Sequence, residues 1–409
     1  MANARLGAEV DRPLLVAAIL LALIGIAFVF SATANAVMEA KQGLYLKQFI
    51  WLGIALGGAT VTAIVPYRVY EGKLSYLLFG IGVGLLVLTL FVGHVGLGAQ
   101  RWLGWGQLKF QPSELAKVVT VLVLATILSD RKTNLTQVRS LFKPCLLAAI
   151  PMALVMKQPD LGTSVAFVTI LLTMLFWAGL PPLYLFLLVT PIINVALSFF
   201  LPVWILFAAI LALVLYRSRL RLVPILVVVA INLVVGIVTP QVWNHLEPYQ
   251  RQRVTTFIDP NGDPYGAGYQ IIQSKIAIGS GQMWGKGFMH GTQKGLAFLP
   301  EQHTDFIFSV VGEETGFIGS ATVTLLYLTL ILRGVRVAHR GRNRFGSLLA
   351  IGMTSIFLYH ILVNICMTVG LAPVTGLPLP LLSYGGTSLL TSFLQIGLLQ
   401  NVAMRWREY

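Results

Sequence analysis

The sequence predicts an all-α, polytopic membrane protein, and three features of composition and patterning lead to this fold class. Of the 409 residues, 56% are hydrophobic and only 11% are charged, whereas soluble domains carry about 25% charged residues. Apolar runs close to the roughly 20 residues that span a bilayer recur along the chain. The loops between these runs alternate in Lys and Arg content. We therefore expect a single integral membrane domain over residues 1–409 rather than several soluble domains.

Twelve apolar runs predict the membrane helices. They lie at residues 13–32, 45–65, 74–93, 113–129, 142–157, 163–180, 182–200, 202–216, 222–240, 306–333, 346–370 and 385–404. The first run has no signal-peptide cleavage pattern, so it is expected to remain as a helix. With a cytoplasmic N-terminus, most of the 29 Lys and Arg residues fall in inside segments. This orientation places both termini in the cytoplasm and the long segment 241–304 outside.

Net charge and cysteine content argue against two other classes of protein. The formal net charge is +14, which loop bias and anionic lipid headgroups explain before nucleic acid does. Cys145 and Cys366 lie in apolar segments, so they predict neither disulfides nor a metal site. We expect no nucleic-acid partner.

The outer segment 241–304 contains the first group of candidate site residues. Asp259 and Asp263 lie four residues apart in FIDPNGDP, where two carboxylates could act as acid and base, bind a metal or cap turns. Arg251 and Arg253 lie just upstream and could hold an anion.

A short helix and a return to the membrane complete this segment. Tyr269, Ile272 and Ile276 recur at helical spacing, which predicts an amphipathic helix lying in the membrane interface. His303 and Asp305 mark the point where the chain re-enters the membrane.

Charged residues at membrane depth form the second group of candidates. Glu114 and Lys117 share one face at the start of a helix in FQPSELAK, and both a structural salt bridge and a role in the site remain open. Arg101, in the preceding outer loop, suits a phosphate. Asp160 is interpreted as a helix cap.

Two other stretches carry polar residues between apolar runs. Glu313 and Glu314 are adjacent, so on a helix they point in different directions and at most one faces a given cavity. The Pro- and Gly-rich stretch 371–388 predicts an outer loop or re-entrant turn, which at membrane depth must be buried in protein or line a cavity. We interpret it as a rigid turn.

Motifs for nucleotide or metal chemistry are absent from the sequence. No Walker A loop, GxSxG elbow, HExxH or CxxC occurs. We therefore expect no organic cofactor, and any reaction must draw its energy from the substrate.

The chain resembles the SEDS family (shape, elongation, division and sporulation) in AQRWL, FQPSELAK, QPDLGTS, YQRQRV, DPYGAGYQIIQSKIAIGSG, GTQKGLAFLPEQHTDFIFSVVGEETGFIG and PLPLLSYGGTS. Its rod-shape-determining RodA branch is favoured over the FtsW division branch by Asp259 in FIDP. The resemblance implies a peptidoglycan glycosyltransferase in which Asp263 is the essential acid and Glu114 and Lys117 form a buried pair. Gln273 and Ser274, in YQIIQSK, are carried over as supporting residues.

The resemblance also implies partners and a location. These are lipid II, the nascent glycan strand, a class B penicillin-binding protein that acts as transpeptidase, and other membrane proteins of the elongation complex. The site would lie on the extracytoplasmic side of the bacterial cytoplasmic (inner) membrane. Family members commonly have ten helices, so twelve runs predict an extra hairpin within 182–240.

Several alternatives stay open at the level of sequence. Arg101, Arg251, Arg253 and Lys117 are all candidates for holding a diphosphate, and Asp259 with Asp263 could hold Mg²⁺ or Mn²⁺. A lipid II flippase and a non-catalytic scaffold of the elongation complex are the rival functions.

Overall fold

The computed structural model describes residues 10–34, 43–96, 99–105, 108–130, 135, 137–218, 220, 222–243, 251, 255–257, 259, 267–292 and 301–406. Two predicted site residues, Asp263 and Arg253, lie outside these ranges.

Helices occupy each of the twelve predicted apolar runs, and a further helix lies in the outer segment. The helices are α1 (Arg12–Thr33), α2 (Leu44–Ile64), α3 (Lys73–Val92), α4 (Pro112–Ser129), α5 (Val138–Lys157), α6 (Leu161–Trp177), α7 (Pro182–Leu197), α8 (Leu201–Arg217), α9 (Leu222–Trp243), α10 (Ala267–Ser280), α11 (Ile307–Arg340), α12 (Arg344–Thr368) and α13 (Gly386–Met404). A short 3₁₀ helix (Tyr67–Tyr70) precedes α3. Eight of the described helices are long and apolar enough to cross a membrane. The chain is a multi-pass membrane protein, while the number of twelve spans stays a prediction.

Aspartate side chains cap the beginnings of α1 and α6. Asp11 accepts a hydrogen bond from the Leu14 amide at 3.1 Å at the start of α1. Asp160 accepts one from the Thr163 amide at 3.1 Å at the start of α6, so its predicted role as a cap is confirmed. Asp11 also pairs with Arg333 at 2.7 Å, which ties the start of α1 to α11.

The centre of the bundle is formed by α4 and α12. In their most apolar 18-residue windows, 83% of α4 and 72% of α12 is buried, against 11% of α9. Helix α12 packs against α4, α6 and α11, and α13 runs along α2. Polar side chains on α4 and α12 are therefore shielded from lipid, as charged groups inside a membrane protein must be.

The predicted extra segment 182–240 forms the three helices α7, α8 and α9, joined by buried polar side chains. Asn194 donates to the backbone carbonyl of Asn232 at 2.6 Å, and Trp204 donates to the Asn194 side chain at 2.8 Å. Asn232 in turn donates to Thr190 at 3.0 Å. Hydrogen bonds of this kind hold helices together in lipid, where apolar contact provides little preference for a partner.

The segment between α3 and α4, expected to be an outer loop, contains a small antiparallel sheet. Its strands are β1 (His94–Gly96), β2 (Ala99–Trp105) and β3 (Leu108–Phe110), in the order β1-β2-β3. The pairs His94–Trp102 and Leu103–Phe110 set the register. The all-α prediction missed these strands because each is short and lies between two long apolar runs.

The stretch between α12 and α13 is non-helical and buried, as a re-entrant turn must be. Leu379 and Leu382 are fully buried within it. Tyr327 donates to the Pro380 carbonyl at 2.6 Å, and Gln48 donates to the Ser383 carbonyl at 3.1 Å. Side chains from α11 and α2 thus satisfy carbonyls that no helix satisfies. The predicted non-helical turn is present, and its rigidity stays a prediction.

Candidate functional site

A buried charged pair lies at the first turns of α4. The Lys117 ammonium is 2.8 Å from a Glu114 carboxylate oxygen, which confirms the predicted pairing. Its second contact is His360 Nε2 of α12 at 2.5 Å. Lys117 is fully inaccessible to solvent, and Glu114 and His360 are buried. Glu114, Lys117 and His360 therefore form a triad that joins the two central helices, α4 and α12.

The hydrogen bonds of His360 define its tautomer. A protonated Lys117 can only donate, so Nε2 of His360 must accept and Nδ1 must carry the ring proton. Nδ1 lies 3.4 Å from the Pro378 carbonyl in the re-entrant turn. One turn further along α12, Asn364 donates to the carbonyls of Leu377 at 2.7 Å and Asp305 at 2.9 Å. These contacts connect α4, α12 and the re-entrant turn.

The turn 301–306, just before α11, is firmly held beside this triad. The backbone amide of Tyr384 donates to the His303 carbonyl at 2.9 Å, and Ser383 donates to the Thr304 carbonyl at 2.5 Å. His303 and Asp305 thus lie at the predicted point of re-entry.

Arg101 is engaged by the start of α6. Its guanidinium donates to the Pro159 carbonyl, and its Nε lies 3.7 Å from Asp160. The neighbouring Gly162 carbonyl accepts from Tyr359 at 2.6 Å, which links this corner to α12. These contacts hold the strand β2 against α6, and the predicted role of Arg101 in binding phosphate remains a prediction.

The predicted helix in the outer segment is present as α10, but its buried face differs from the predicted one. Ile271 and Ser274 are buried, whereas Ile276 is 45% exposed. The Ser274 hydroxyl lies 2.6 Å from the Ser309 hydroxyl and donates to the Thr368 carbonyl at 2.6 Å. Polar partners on α11 and α12 therefore turn the Ser274 face inward, and Ile276 is left exposed.

Upstream of α10, hydrogen bonds through Thr255 link Arg251 to Asp259. The Thr255 hydroxyl donates to the Arg251 carbonyl at 3.2 Å, and the Asp259 amide donates to the Thr255 carbonyl at 2.9 Å. Asp259 is exposed and Arg251 is half-buried. Gln273, on α10, is also half-buried. Arg253 and Asp263, the other two predicted site residues upstream of α10, lie outside the described residues.

Helix α11 is broken at Gly316, and the segment that follows α10 fills the break. Gly316 has φ 64° and ψ −159°. The amides of Lys286 and Gly287 donate to the carbonyls of Glu313 and Glu314 at 3.0 Å each, and the Phe317 amide donates to Gln282 at 2.8 Å. Backbone groups freed by the break are thus satisfied by protein, as membrane depth requires.

The adjacent carboxylates Glu313 and Glu314 secure this segment from two sides. Glu313 accepts from Lys286 Nζ and from the Thr292 amide, both at 2.8 Å. Glu314 accepts from the Ser31 hydroxyl of α1 at 2.6 Å and from the Met289 amide at 3.1 Å. The two side chains do point in different directions, and both hold the fold together.

Replacing Gly316 with alanine is expected to destabilise the protein by about 1–3 kcal/mol. Alanine is strained at this positive φ, and its Cβ would collide with the segment that fills the break. A Cβ at this position would lie 2.4 Å from the Gly285 nitrogen. Thermal unfolding in detergent measures the effect. Gly57→Ala is the matched control, since a Cβ there meets nothing within 4 Å. Equal melting temperatures for the two variants would contradict the inference that the break in α11 requires glycine at position 316.

Metal ligation is not supported by the described part of the chain. No group of three or more His, Cys, Asp or Glu residues within it is placed to hold an ion. Because Asp263 lies outside this part, the predicted pair of Asp259 and Asp263 stays an untested prediction.

The sequence as a whole matches a known family. The profile described as "Cell cycle protein", which covers FtsW, RodA and SpoVE, matches residues 11–208 and 200–408. The chain belongs to this FtsW/RodA/SpoVE family. The family resemblance noted in the motifs is thereby confirmed. The two matches overlap at residues 200–208, where α8 begins.

Relatives and solved structures in the FtsW/RodA/SpoVE family cover nearly the whole chain. The peptidoglycan glycosyltransferase MrdB of Escherichia coli K12 is 39% identical over 366 residues, covering 89% of this chain and 85% of the relative. The peptidoglycan glycosyltransferase RodA of Treponema pallidum is 33% identical, covering 97% and 98%. These names agree with the predicted RodA branch.

Two solved structures have the same fold as this chain. A chain from the study "Structural coordination of polymerization and crosslinking by a peptidoglycan synthase complex" has a TM-score of 0.73 at 28% identity and covers 98% of this chain and 99% of its own length. RodA of Thermus thermophilus has a TM-score of 0.63 at 26% identity, covering 97% and 98%.

Of the site, sequence reasoning missed chiefly His360. The available signal was an ionisable side chain in the middle of the apolar run 346–370, which is a functional hypothesis by default. What the sequence could not supply is its partner, because Lys117 is 243 positions away in the chain.

Proposed function

We propose that this chain is a peptidoglycan glycosyltransferase that polymerises lipid II into β-1,4 glycan strands during cell elongation. The observation that carries the proposal is its 39% identity, over 89% of the chain, to a protein named peptidoglycan glycosyltransferase. The burial of the Glu114–Lys117–His360 triad supports it, since a costly charged cluster inside a membrane protein marks a functional region.

The proposed reaction is an inverting displacement at the sugar. The 4-hydroxyl oxygen of an incoming lipid II attacks the anomeric carbon of the growing strand, and the bond from that carbon to undecaprenyl diphosphate breaks. Asp263 takes the hydroxyl proton as general base, and the diphosphate leaves with the bonding electrons. Because an α-linked donor gives a β-linked product in one step, no covalent enzyme intermediate is needed.

The negative charge that develops on the diphosphate calls for fixed cations, since preorganised charge is usually the largest catalytic term. Arg251 and Arg253 lie upstream of Asp263 on the same segment. Lys117 is shielded and already bonded to two side chains, so we assign it to positioning the site. Arg101 remains a candidate for binding the diphosphate.

The rival flippase is less well supported. Transporters are commonly built from internal repeats and from helices broken near the midplane. Here the break in α11 at Gly316 is filled by residues 281–287, whose backbone bonds to both of its sides. The break therefore indicates a fixed packing contact within the protein rather than a path for a substrate.

Membrane location and partners follow from the same proposal. Loop charges favour an extracytoplasmic site in the bacterial cytoplasmic membrane, with both termini inside. A structural relative comes from a study of a peptidoglycan synthase complex that joins polymerisation and cross-linking. We propose that this chain likewise works beside a class B penicillin-binding protein that cross-links the glycan.

The test is polymerisation of fluorescent lipid II by the purified full-length chain in detergent, with and without the penicillin-binding protein and with and without a chelator. Glycan strands are the expected product. A flippase needs a bilayer to act, and a scaffold makes no polymer, so failure to polymerise in every arm would contradict the proposal. Loss of activity with the chelator, restored by Mg²⁺ or Mn²⁺, would assign the cation.

A further inference from the structure

A polar cavity of about 400 Å³ opens between α3, α4 and α5. It lies at the end of α4 opposite the charged triad, because Lys117 and Asp130 are about 20 Å apart along the helix axis. The cavity is therefore separate from the candidate functional site and reaches the other face of the membrane. Its polar lining is formed by Tyr76, Thr126, Asp130, Arg139, Ser140 and Lys143.

Two cations on α5 dominate this lining. Arg139 and Lys143 are one helical turn apart, and both are exposed. Lys143 Nζ lies 5.5 Å from the centre of the Tyr76 ring and 3.4 Å from its hydroxyl. Neither cation forms an ion pair within the described part of the chain, and Asp130 contributes the one carboxylate of the lining. Among the described lining residues, two positive charges stand against one negative charge, and this excess of positive charge fits an anion.

Apolar surface continues from the cavity into the depth of the membrane. Phe142 is 68% exposed, Leu146 is 46% exposed, and Leu77 on α3 is 60% exposed. Gly80, one turn below Tyr76, has open space where a side chain would be. A molecule bound here would thus meet cations at the membrane face and apolar walls below them.

We propose that this cavity binds the phosphate headgroup of an anionic phospholipid, with the acyl chains lying along α3 and α5. Arg139 can hold phosphate oxygens through a bidentate contact, and Lys143 contributes a second charge. Predicted loop charges place this face in the cytoplasm, where basic pockets between membrane helices meet anionic headgroups. A phospholipid has both an anionic headgroup for the cations and acyl chains for the apolar walls, whereas a soluble phosphate has only the anionic group.

The experiment measures how phosphatidylglycerol shifts the melting temperature of the full-length protein in detergent, with phosphatidylcholine as the neutral lipid. The double variant Arg139→Gln/Lys143→Gln is compared with Arg336→Gln/Arg340→Gln. The control pair is also exposed, one turn apart on a single helix, α11, and on the same predicted face. Both variants lose two positive charges, so general attraction to an anionic surface is matched.

The half-saturating concentration of phosphatidylglycerol is expected to rise about tenfold or more for Arg139→Gln/Lys143→Gln, the effect of losing a charge-assisted hydrogen bond. The control should bind like the wild type. An equal response of both variants would overturn the proposal. Inorganic phosphate and glycerol 3-phosphate form separate arms: if either one protects as well as the lipid does, the site is for a soluble phosphate and the lipid assignment fails. Equal melting temperatures in phosphatidylcholine verify that the variants are folded.

Discussion

Asp263→Asn is expected to lower the rate of lipid II polymerisation about 10²–10⁴-fold, the usual contribution of a general base. The amide keeps the shape of the carboxylate but cannot accept the proton of the attacking hydroxyl. Helix α10, which begins four residues downstream, is held against α11 and α12 by Ser274 and does not contain Asp263. Melting temperature and binding to the penicillin-binding protein should therefore match the wild type.

Asp259→Asn is the matched control for this prediction. It is the same substitution four residues earlier in the same segment, at an exposed carboxylate. We expect polymerisation to stay within about tenfold of the wild type, because a turn or auxiliary residue contributes less than the base does. A near wild-type rate for Asp263→Asn would make the assignment of the base wrong. Equal and large losses in both variants would instead favour a shared metal site.

Positions of helices could be predicted from the sequence because lipid imposes a strict rule on the backbone. Every amide in the hydrocarbon must be bonded within the protein, so an apolar run of sufficient length has few alternatives to a helix. All twelve runs obey this rule, including the shortest at 142–157 and 202–216. The segment around Arg101 carries no such constraint because it is short and lies outside the runs, and there the strands were missed.

Faces and partners were harder to predict than helix positions. In α10 the spacing of Ile272 and Ile276 indicated the apolar face, yet Ser274 lies on the buried one. Predicting the buried face from apolar spacing presumes an aqueous exterior and an apolar interior. In a membrane protein, lipid can cover apolar residues, and the protein interior can satisfy a hydroxyl. The contact between His360 and Lys117 likewise depends on how α12 packs against α4, which spacing within one helix cannot reveal.

Lys117→Met is expected to destabilise the protein by about 3–5 kcal/mol, because it leaves a buried charge without its partner. Glu114 would keep its carboxylate in a site from which solvent is excluded, and His360 would lose the donor to its Nε2. Polymerisation should fall with it, since α4 and α12 would no longer be fixed to each other. Thermal unfolding in detergent measures the loss, and Lys73→Met, at an exposed lysine, is the control.

A double-mutant cycle separates the pairing from the burial of each residue. Glu114→Gln alone should also destabilise, since an uncompensated ammonium remains. The double variant Glu114→Gln/Lys117→Met removes both charges, so it should lose clearly less than the sum of the two single losses, with a coupling of about 0.5–3 kcal/mol. Additive losses would mean that each residue acts independently. Recovered stability without recovered polymerisation would show that the charges of the triad also contribute to the reaction, because an uncharged pair can restore packing but not an electrostatic field.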